Sequence, residues 1–108
     1  MECIYLIGSK ETSLYKIGVT RQHDIKKRLE NIQVGCPYKV EVIEVFESEN
    51  PYKVEKIIHR SLKGCKEDAN GIKLRGEWFY LGLEFVYKFK DKCILHERNY
   101  LLTKSFEI

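Results

Sequence analysis

The sequence contains little proline, no segment rich in glycine and serine, and no long apolar run. With 2 prolines and 7 glycines in 108 residues, it lacks the composition of a disordered linker or a collagen-like repeat. Its apolar runs are too short to cross a bilayer, and its first residues lack the basic start and apolar core of a secretory signal. We therefore expect an intracellular protein that does not contact a membrane.

Closely spaced metal-binding residues are also absent. The four cysteines are far apart in the sequence and form no Cys-x-x-Cys pair, and the three histidines are equally dispersed. This spacing is unlike that of structural zinc sites and redox motifs, so we expect free, buried thiols in a reducing compartment. The residues concerned are Cys3, Cys36, Cys65, Cys93, His23, His59 and His96.

The chain has no strong excess of one charge, since 19 basic and 16 acidic residues give a net charge of +3. By position, however, residues 10–28 carry six basic and two acidic side chains, and residues 60–75 carry five and two. Between them, residues 41–55 contain five glutamates. This pattern is typical of ordinary solvated faces, or of a protein that binds phosphates on both sides of a cation.

Hydrophobic residues make up 44% of the chain and are distributed over short segments, some typical of strands and others of helices. Residues 3–7 and 14–20 are rich in strand formers, and their short connector predicts an antiparallel hairpin. Residues 39–47 predict a third strand, whose alternation slips at Val42 and Ile43 and indicates a bulge or burial on both faces. Helices are predicted from Asp24 to about residue 34, from Asn50-Pro51 to Gly64, at residues 83–90 and, more weakly, at 97–102.

This order of elements predicts an α+β fold, with an antiparallel sheet of three strands flanked by helices. We expect one catalytic or binding domain over residues 1–91. Residues 92–108 are expected to form a C-terminal extension packed on that domain.

Two local patterns could carry chemistry. Glu55 and His59 lie four residues apart on the second helix and point to one side of it. They could hold a divalent ion and assist a proton transfer, or they could form an exposed pair of little consequence. Tyr5 and Tyr15 lie on the paired strands, where tyrosine is also a common structural residue. Gly18 thins the second strand and permits a close approach.

Several short motifs follow one another in a specific order. Together they resemble the GIY-YIG endonuclease superfamily, most closely its short phage and viral branch, over residues 4–81. They are Ile4-Tyr5-Leu6, Tyr15-Lys16-Ile17-Gly18, Arg28-Leu29, Gln33, Pro37, the Glu55-x-x-x-His59 helix and the Gly76-Glu77-Trp78-Phe79 box.

The resemblance implies a DNA endonuclease that uses Mg²⁺ or Mn²⁺, with RNA left open as a substrate. Glu55 would be the metal ligand and Arg28 would hold a phosphate oxygen, because a rigid guanidinium matches its geometry. Tyr5 would accept a proton from the attacking water once nearby cations favour its phenolate. The remaining implied residues are Tyr15 and His59 at the catalytic centre, and Lys16, Gly18, Arg21 and Lys27 on the substrate.

A catalytically silent module is the alternative. It would bind nucleic acid through residues 10–28 and 60–75, or bind another protein. Trp78 and Phe79 are expected to fill the core, whereas Glu77 could cap, contact a base or join the metal site. We expect a monomer or homodimer, and sequence specificity would need a partner because so small a domain has little surface for reading DNA.

Overall fold

The sheet begins with the predicted hairpin. In the computed structural model, which describes residues 1–105, β1 (Glu2–Ser9) pairs antiparallel with β2 (Leu14–Arg21). The connector closes at Ser13, whose amide donates to the Ser9 carbonyl at 3.0 Å and whose φ is 59°. Both strands extend slightly beyond their predicted ends because backbone pairing continues to the turn and to the end of the sheet.

The predicted bulge lies in β3 (Glu41–Glu47), which pairs with the other edge of β1. Leu6 is opposite Glu44, but Ile7 is opposite Val42, so Ile43 is the extra residue. The break in alternation at this point is therefore confirmed as a bulge, and the strand begins two residues later than predicted.

The predicted α+β class, with an antiparallel sheet flanked by helices, is confirmed, but a short fourth strand completes the sheet, which has four strands rather than three. β4 (Trp78–Tyr80) pairs antiparallel with Leu14–Lys16 of β2, and the strand order is β3-β1-β2-β4. Three residues are too few to show an alternation in the sequence. Their aromatic side chains divide between the two faces: Phe79 is in the core as predicted, whereas Trp78 is half-buried on the opposite face.

The two long predicted helices cover opposite faces of the sheet. α1 (Ile25–Val34) packs over the face that carries Tyr5 and Ile7, with Ile32 in the same cluster. α2 (Pro51–Ser61) packs over the other face. Its Val54, Ile58 and the following Leu62 join a larger core, whose strand members are Ile4, Leu6, Tyr15, Ile17, Phe46 and Phe79.

The C-terminal helices differ from their predicted limits. α3 (Leu83–Tyr87) is short, and α4 (Phe89–Ser105) is a single helix that includes the weakly predicted segment at 97–102. Phe89 and Cys93 are fully buried and attach α4 to the core, where it packs against α2 and β3. The last three residues of the predicted extension lie outside the described residues.

All four cysteines are free thiols, as predicted. Cys3 and Cys93 are buried, but Cys36 and Cys65 are only half-buried. Burial, together with the negative charges of Glu44 and Glu97, raises the pKa of Cys93 to about 12. No helix within residues 1–105 is both long and apolar enough to span a membrane.

Candidate active site at the open edge of the second strand

The short length of β4 leaves part of the edge of β2 without a partner strand. Beyond Lys16, the His59 side chain and the loop before β4 form hydrogen bonds with backbone groups of this edge. The Ile17 amide donates to the Glu77 carbonyl at 3.1 Å, and the Ile17 carbonyl accepts a hydrogen bond from His59 Nε2 at 2.9 Å. This second bond requires the proton on Nε2 and fixes the imidazole at the strand edge.

Gly18, the next residue of β2, forms a gap that a tyrosine fills. Tyr5 is directly opposite Gly18 in the β1–β2 ladder, so the two residues share one face of the sheet. A Cβ atom on residue 18 would collide with the Tyr5 hydroxyl, would lie 2.6 Å from Tyr5 Cζ and would lie 2.8 Å from Glu77 Oε2. Only glycine therefore allows the phenol to cross β2 and reach the open edge.

Arg28 of α1 holds the phenol from the helix side. Its Nε donates to the Tyr5 hydroxyl at 3.0 Å, and its Cζ lies 5.9 Å from the centre of the ring. Burial raises the pKa of Tyr5, and the charges of Glu77 and Glu55 add to this, while the bond from Arg28 opposes it. Arg28 favours the phenolate, as expected, but burial outweighs it, so Tyr5 is a neutral phenol at pH 7 in the protein alone.

Glu55 approaches this edge from α2, on the other face of the sheet. Its Oε1 lies 3.9 Å from His59 Nε2, and its side chain is 18% exposed. Burial raises the pKa of Glu55; the His59 charge opposes this shift and the Glu77 charge adds to it. A carboxylate kept partly out of water next to a second one attracts a cation.

Glu77 also belongs to this group, and the sequence left open whether it would cap, contact a base or join the metal site. Its Oε2 atom is buried and has no hydrogen-bond partner. It also contributes to the raised pKa values of Tyr5 and Glu55, so its charge acts on both. The Gly-Glu-Trp-Phe box drew attention to it, but the sequence could not show that the loop before β4 turns towards Gly18.

The structure places Tyr15 on the opposite face of the sheet from Tyr5 and Arg28. Tyr15 is opposite Gly8 and lies fully buried in the core beneath α2, on the face of the sheet away from Tyr5. Its hydroxyl is buried without a partner. Lys16 does lie on the Tyr5 face, half-buried, with Nζ 6.0 Å from the centre of the Trp78 ring. Lys16 and Gly18, rather than Tyr15, are therefore the residues of this motif that share a face with Tyr5.

A basic cleft adjoins the site on the side of α1. It has a volume of about 280 Å³. Arg28 belongs to both the cleft and the Tyr5 site, and the cleft brings Arg21 and Lys27 to the same place. Arg21 Nε forms an ion pair with Asp24 at 3.1 Å. The complete lining is Thr20, Arg21, Asp24, Lys27, Arg28 and Asn31.

The two basic segments seen in the sequence are not two continuous surfaces. Lys10 lies at the far end of β1, where it lines a different cleft together with Lys39. In the second segment, Lys66 points inwards to the carbonyls of Gly76 and Trp78. The part of the first segment around Arg28 lines the cleft beside the site.

Within the described residues, no group of three or more histidine, cysteine, aspartate or glutamate residues is arranged to enclose a metal ion. Glu55 nevertheless offers carboxylate oxygens, which are the donors that magnesium and manganese prefer. Magnesium commonly takes one or two protein carboxylates and completes its shell with water and phosphate oxygens. The donors that are present fit such a cation.

The fold and site together define a small α+β domain with a polar centre at the edge of its sheet. The chain matches the model of the T5orf172 domain over residues 2–94, and it belongs to this family. The family is a phage-associated domain related to nucleases of GIY-YIG-like or HNH type, which agrees with a nuclease-like or DNA-binding role. No curated protein and no solved structure gives a significant match to the chain.

Proposed function

We propose that this protein is a divalent-metal-dependent endonuclease of GIY-YIG type that hydrolyses phosphodiester bonds in DNA. The observation that carries this proposal is the convergence at Gly18. Tyr5 crosses the strand there, Arg28 donates to its hydroxyl, and Glu55 and His59 arrive at the same edge from the other face. A guanidinium, a phenol and a partly buried carboxylate at one strand edge, with raised pKa values of Tyr5 and Glu55, are typical of a functional site.

Arg28 binds the phosphate group in this proposal. Its Nε is occupied by Tyr5, so the remaining nitrogens of the guanidinium can face a non-bridging oxygen in the adjoining cleft. The positive charge would stabilise the negative charge that develops on the phosphoryl oxygens. Arg21, Lys27 and Lys16 would hold neighbouring phosphates of the same strand.

Glu55 is the residue that would hold the cation. A bound magnesium or manganese ion would act as a Lewis acid on the phosphate and help the departing 3′ oxygen. His59 orients the Glu55 side of the site, because two contacts fix its ring. Its Nε2 lies 2.9 Å from the Ile17 carbonyl oxygen, and its ring packs edge-to-face against Phe79 with the ring centres 4.9 Å apart. It is therefore a positioning residue in this mechanism.

Tyr5 is a neutral phenol, so it can take a proton from the attacking water only if it releases its own. The hydrogen bond from Arg28 occupies a lone pair of the phenol oxygen and leaves the hydroxyl proton free to be given away. The proton transfer thus passes through Tyr5, and the charge on its oxygen does not need to accumulate.

The test is nicking of a supercoiled plasmid in the presence of magnesium or manganese. Cleavage that is abolished by a chelator and restored by the metal would support the proposal. Purified protein that leaves supercoiled, linear, branched and single-stranded DNA intact with either metal would contradict it.

A binding module without catalysis is the second candidate. It is favoured by the basic cleft that Arg21, Lys27 and Arg28 line, which can bind phosphates without a metal. This candidate predicts salt-sensitive DNA binding through the basic cleft and no cleavage under any condition. Binding would then be insensitive to the identity of residue 55.

The double variant Arg21→Gln/Lys27→Gln is expected to weaken DNA binding while kcat stays within about 2-fold. Removing two phosphate contacts should reduce the slope of log affinity against log salt by roughly 2. Fluorescence anisotropy with a labelled duplex in a chelating buffer measures this. The matched control is Lys10→Gln/Lys39→Gln, which removes the same charge at the far end of β1 and should leave the slope unchanged. Equal slopes for both double variants would show that the cleft does not contact DNA.

A further inference from the structure

Lys66 occupies an unusual position for a lysine in a basic segment. Its Nζ donates to the Gly76 carbonyl at 2.8 Å and to the Trp78 carbonyl at 2.6 Å. The same ammonium lies 4.3 Å from the centre of the Phe79 ring. Burial lowers the pKa of Lys66, as expected for a cation held partly away from water. A solvated surface lysine would make none of these contacts.

The two carbonyls that Lys66 binds belong to the residues on either side of Glu77. The backbone of Glu77 is fixed from the opposite direction as well, because its carbonyl accepts the Ile17 amide at 3.1 Å. Gly76 has a φ of 63°, a conformation that favours glycine and turns the chain sharply before the strand. Residues 76–78 are thus held between Lys66 and the edge of β2.

This arrangement determines where the Glu77 carboxylate lies. Its Oε2 atom is buried, has no hydrogen-bond partner, and lies 2.8 Å from the position that a Cβ on Gly18 would take. The Tyr5 hydroxyl lies even closer to that position. Leaving a buried carboxylate oxygen without a hydrogen bond lowers the stability of the fold, so such an atom in a polar centre indicates a functional role.

We propose that Lys66 is a positioning residue that holds the Glu77 carboxylate beside Tyr5, where Glu77 accepts the hydroxyl proton that Tyr5 releases. The proposal rests on the proposed nuclease function. As the water attacks, its proton forms a new O–H bond on the Tyr5 oxygen, and the original O–H bond of Tyr5 breaks with transfer of that proton to Glu77 Oε2. No net charge forms on the phenol, and no additional reactant is needed.

The kinetic test compares Glu77→Gln, Lys66→Met and their double variant. Glu77→Gln should lower kcat by about 10²-fold, the lower end of the range for general acid–base catalysis. Lys66→Met keeps the apolar stem and should lower kcat about 10-fold with KM nearly unchanged, since the cleft for DNA is untouched. Because Lys66 acts through Glu77, Lys66→Met should have no further effect in the Glu77→Gln background. Lys66→Arg retains donors for both carbonyls and should recover most of the activity.

A second readout does not require catalysis. The Ile17 amide bonds to the Glu77 carbonyl, so loosening residues 76–78 should speed its hydrogen exchange by about 10-fold in Lys66→Met. Lys63→Met is the matched control, because Lys63 is exposed and lies in the same segment. It should leave Ile17 exchange and kcat unchanged.

The outcomes are distinct. Unaltered Ile17 exchange in Lys66→Met, wild-type kcat in Glu77→Gln, or multiplicative effects in the double variant would each overturn the proposal. Wild-type protein that cleaves no nucleic acid would overturn the nuclease function and, with it, the proton transfer to Glu77, while Ile17 exchange would still decide whether Lys66 fixes the segment.

Discussion

Glu55→Gln is expected to reduce plasmid nicking by on the order of 10³-fold, comparable to the loss of a principal electrostatic group from an active site. Glutamine retains the size of glutamate but removes the negative charge that would attract the cation. DNA affinity in a chelating buffer should change little, because the basic cleft lies on the α1 side and does not include Glu55. Initial nicking rates and anisotropy titrations measure the two quantities separately.

Glu49→Gln provides the control for this substitution. Glu49 is exposed and lies just before α2, so its substitution removes the same charge without touching the site. It should nick at the wild-type rate. If Glu55→Gln nicks as fast as Glu49→Gln, Glu55 does not hold the cation and the proposed mechanism fails.

Glu55→Gln should also raise the free energy of unfolding at neutral pH. The pKa of Glu55 is raised in the folded protein above its ordinary value of 4.5, mainly by burial, so ionising this group opposes folding. The stabilisation of the folded protein that comes from protonated Glu55 is complete below pH 4.5 and is lost as the pH rises through the raised pKa. The free energy of unfolding of Glu55→Gln minus that of the wild type should therefore increase from pH 4 to pH 7. Urea unfolding at both pH values tests this, and a difference that falls with pH would contradict it.

The hairpin and the bulge could be predicted because each depends on local features of the sequence. Alternation fixes which residues share a face along one strand, so Lys16 and Gly18 must lie on the face opposite to that of Tyr15 and Ile17. What alternation cannot show is which of these two faces carries Tyr5. That depends on the register between β1 and β2, in which Tyr5 is opposite Gly18. Tyr15 was therefore predicted to act beside Tyr5, although the sheet separates them.

The candidate site could be predicted only in part for a related reason. The four-residue spacing indicated correctly that Glu55 and His59 point to one side of α2. But α2 and Tyr5 lie on opposite faces of the sheet, and they meet only because β4 is short and Gly18 lacks a side chain. The length of a three-residue strand and the path of the loop before it are tertiary properties, so the place of Glu77 could not be predicted.

Gly18→Ala tests whether the gap in β2 is as specific as the contacts indicate. An added methyl group would collide with the Tyr5 hydroxyl and would approach Tyr5 Cζ and Glu77 Oε2 at 2.6 and 2.8 Å. Because Tyr5 is fully buried and Arg28 holds its hydroxyl, the ring cannot simply move into solvent. We expect a loss of about 1–3 kcal/mol in the free energy of unfolding, as in other overpacked cores. Nicking should fall by on the order of 10²-fold, because a displacement of about 1 Å can have that effect on catalysis.

Gly64→Ala is the matched control, since no atom lies within 4 Å of the Cβ that it would add and its backbone is not in the left-handed region. Alanine at position 64 should leave the free energy of unfolding unchanged, or raise it slightly because alanine lowers the conformational entropy of the unfolded chain. Comparing the two variants separates the steric effect at β2 from the general effect of replacing glycine. Equal stability and equal nicking rates in both variants would mean that Tyr5 can leave the gap freely, and the site would then lack the fixed phenol on which the proposed mechanism depends.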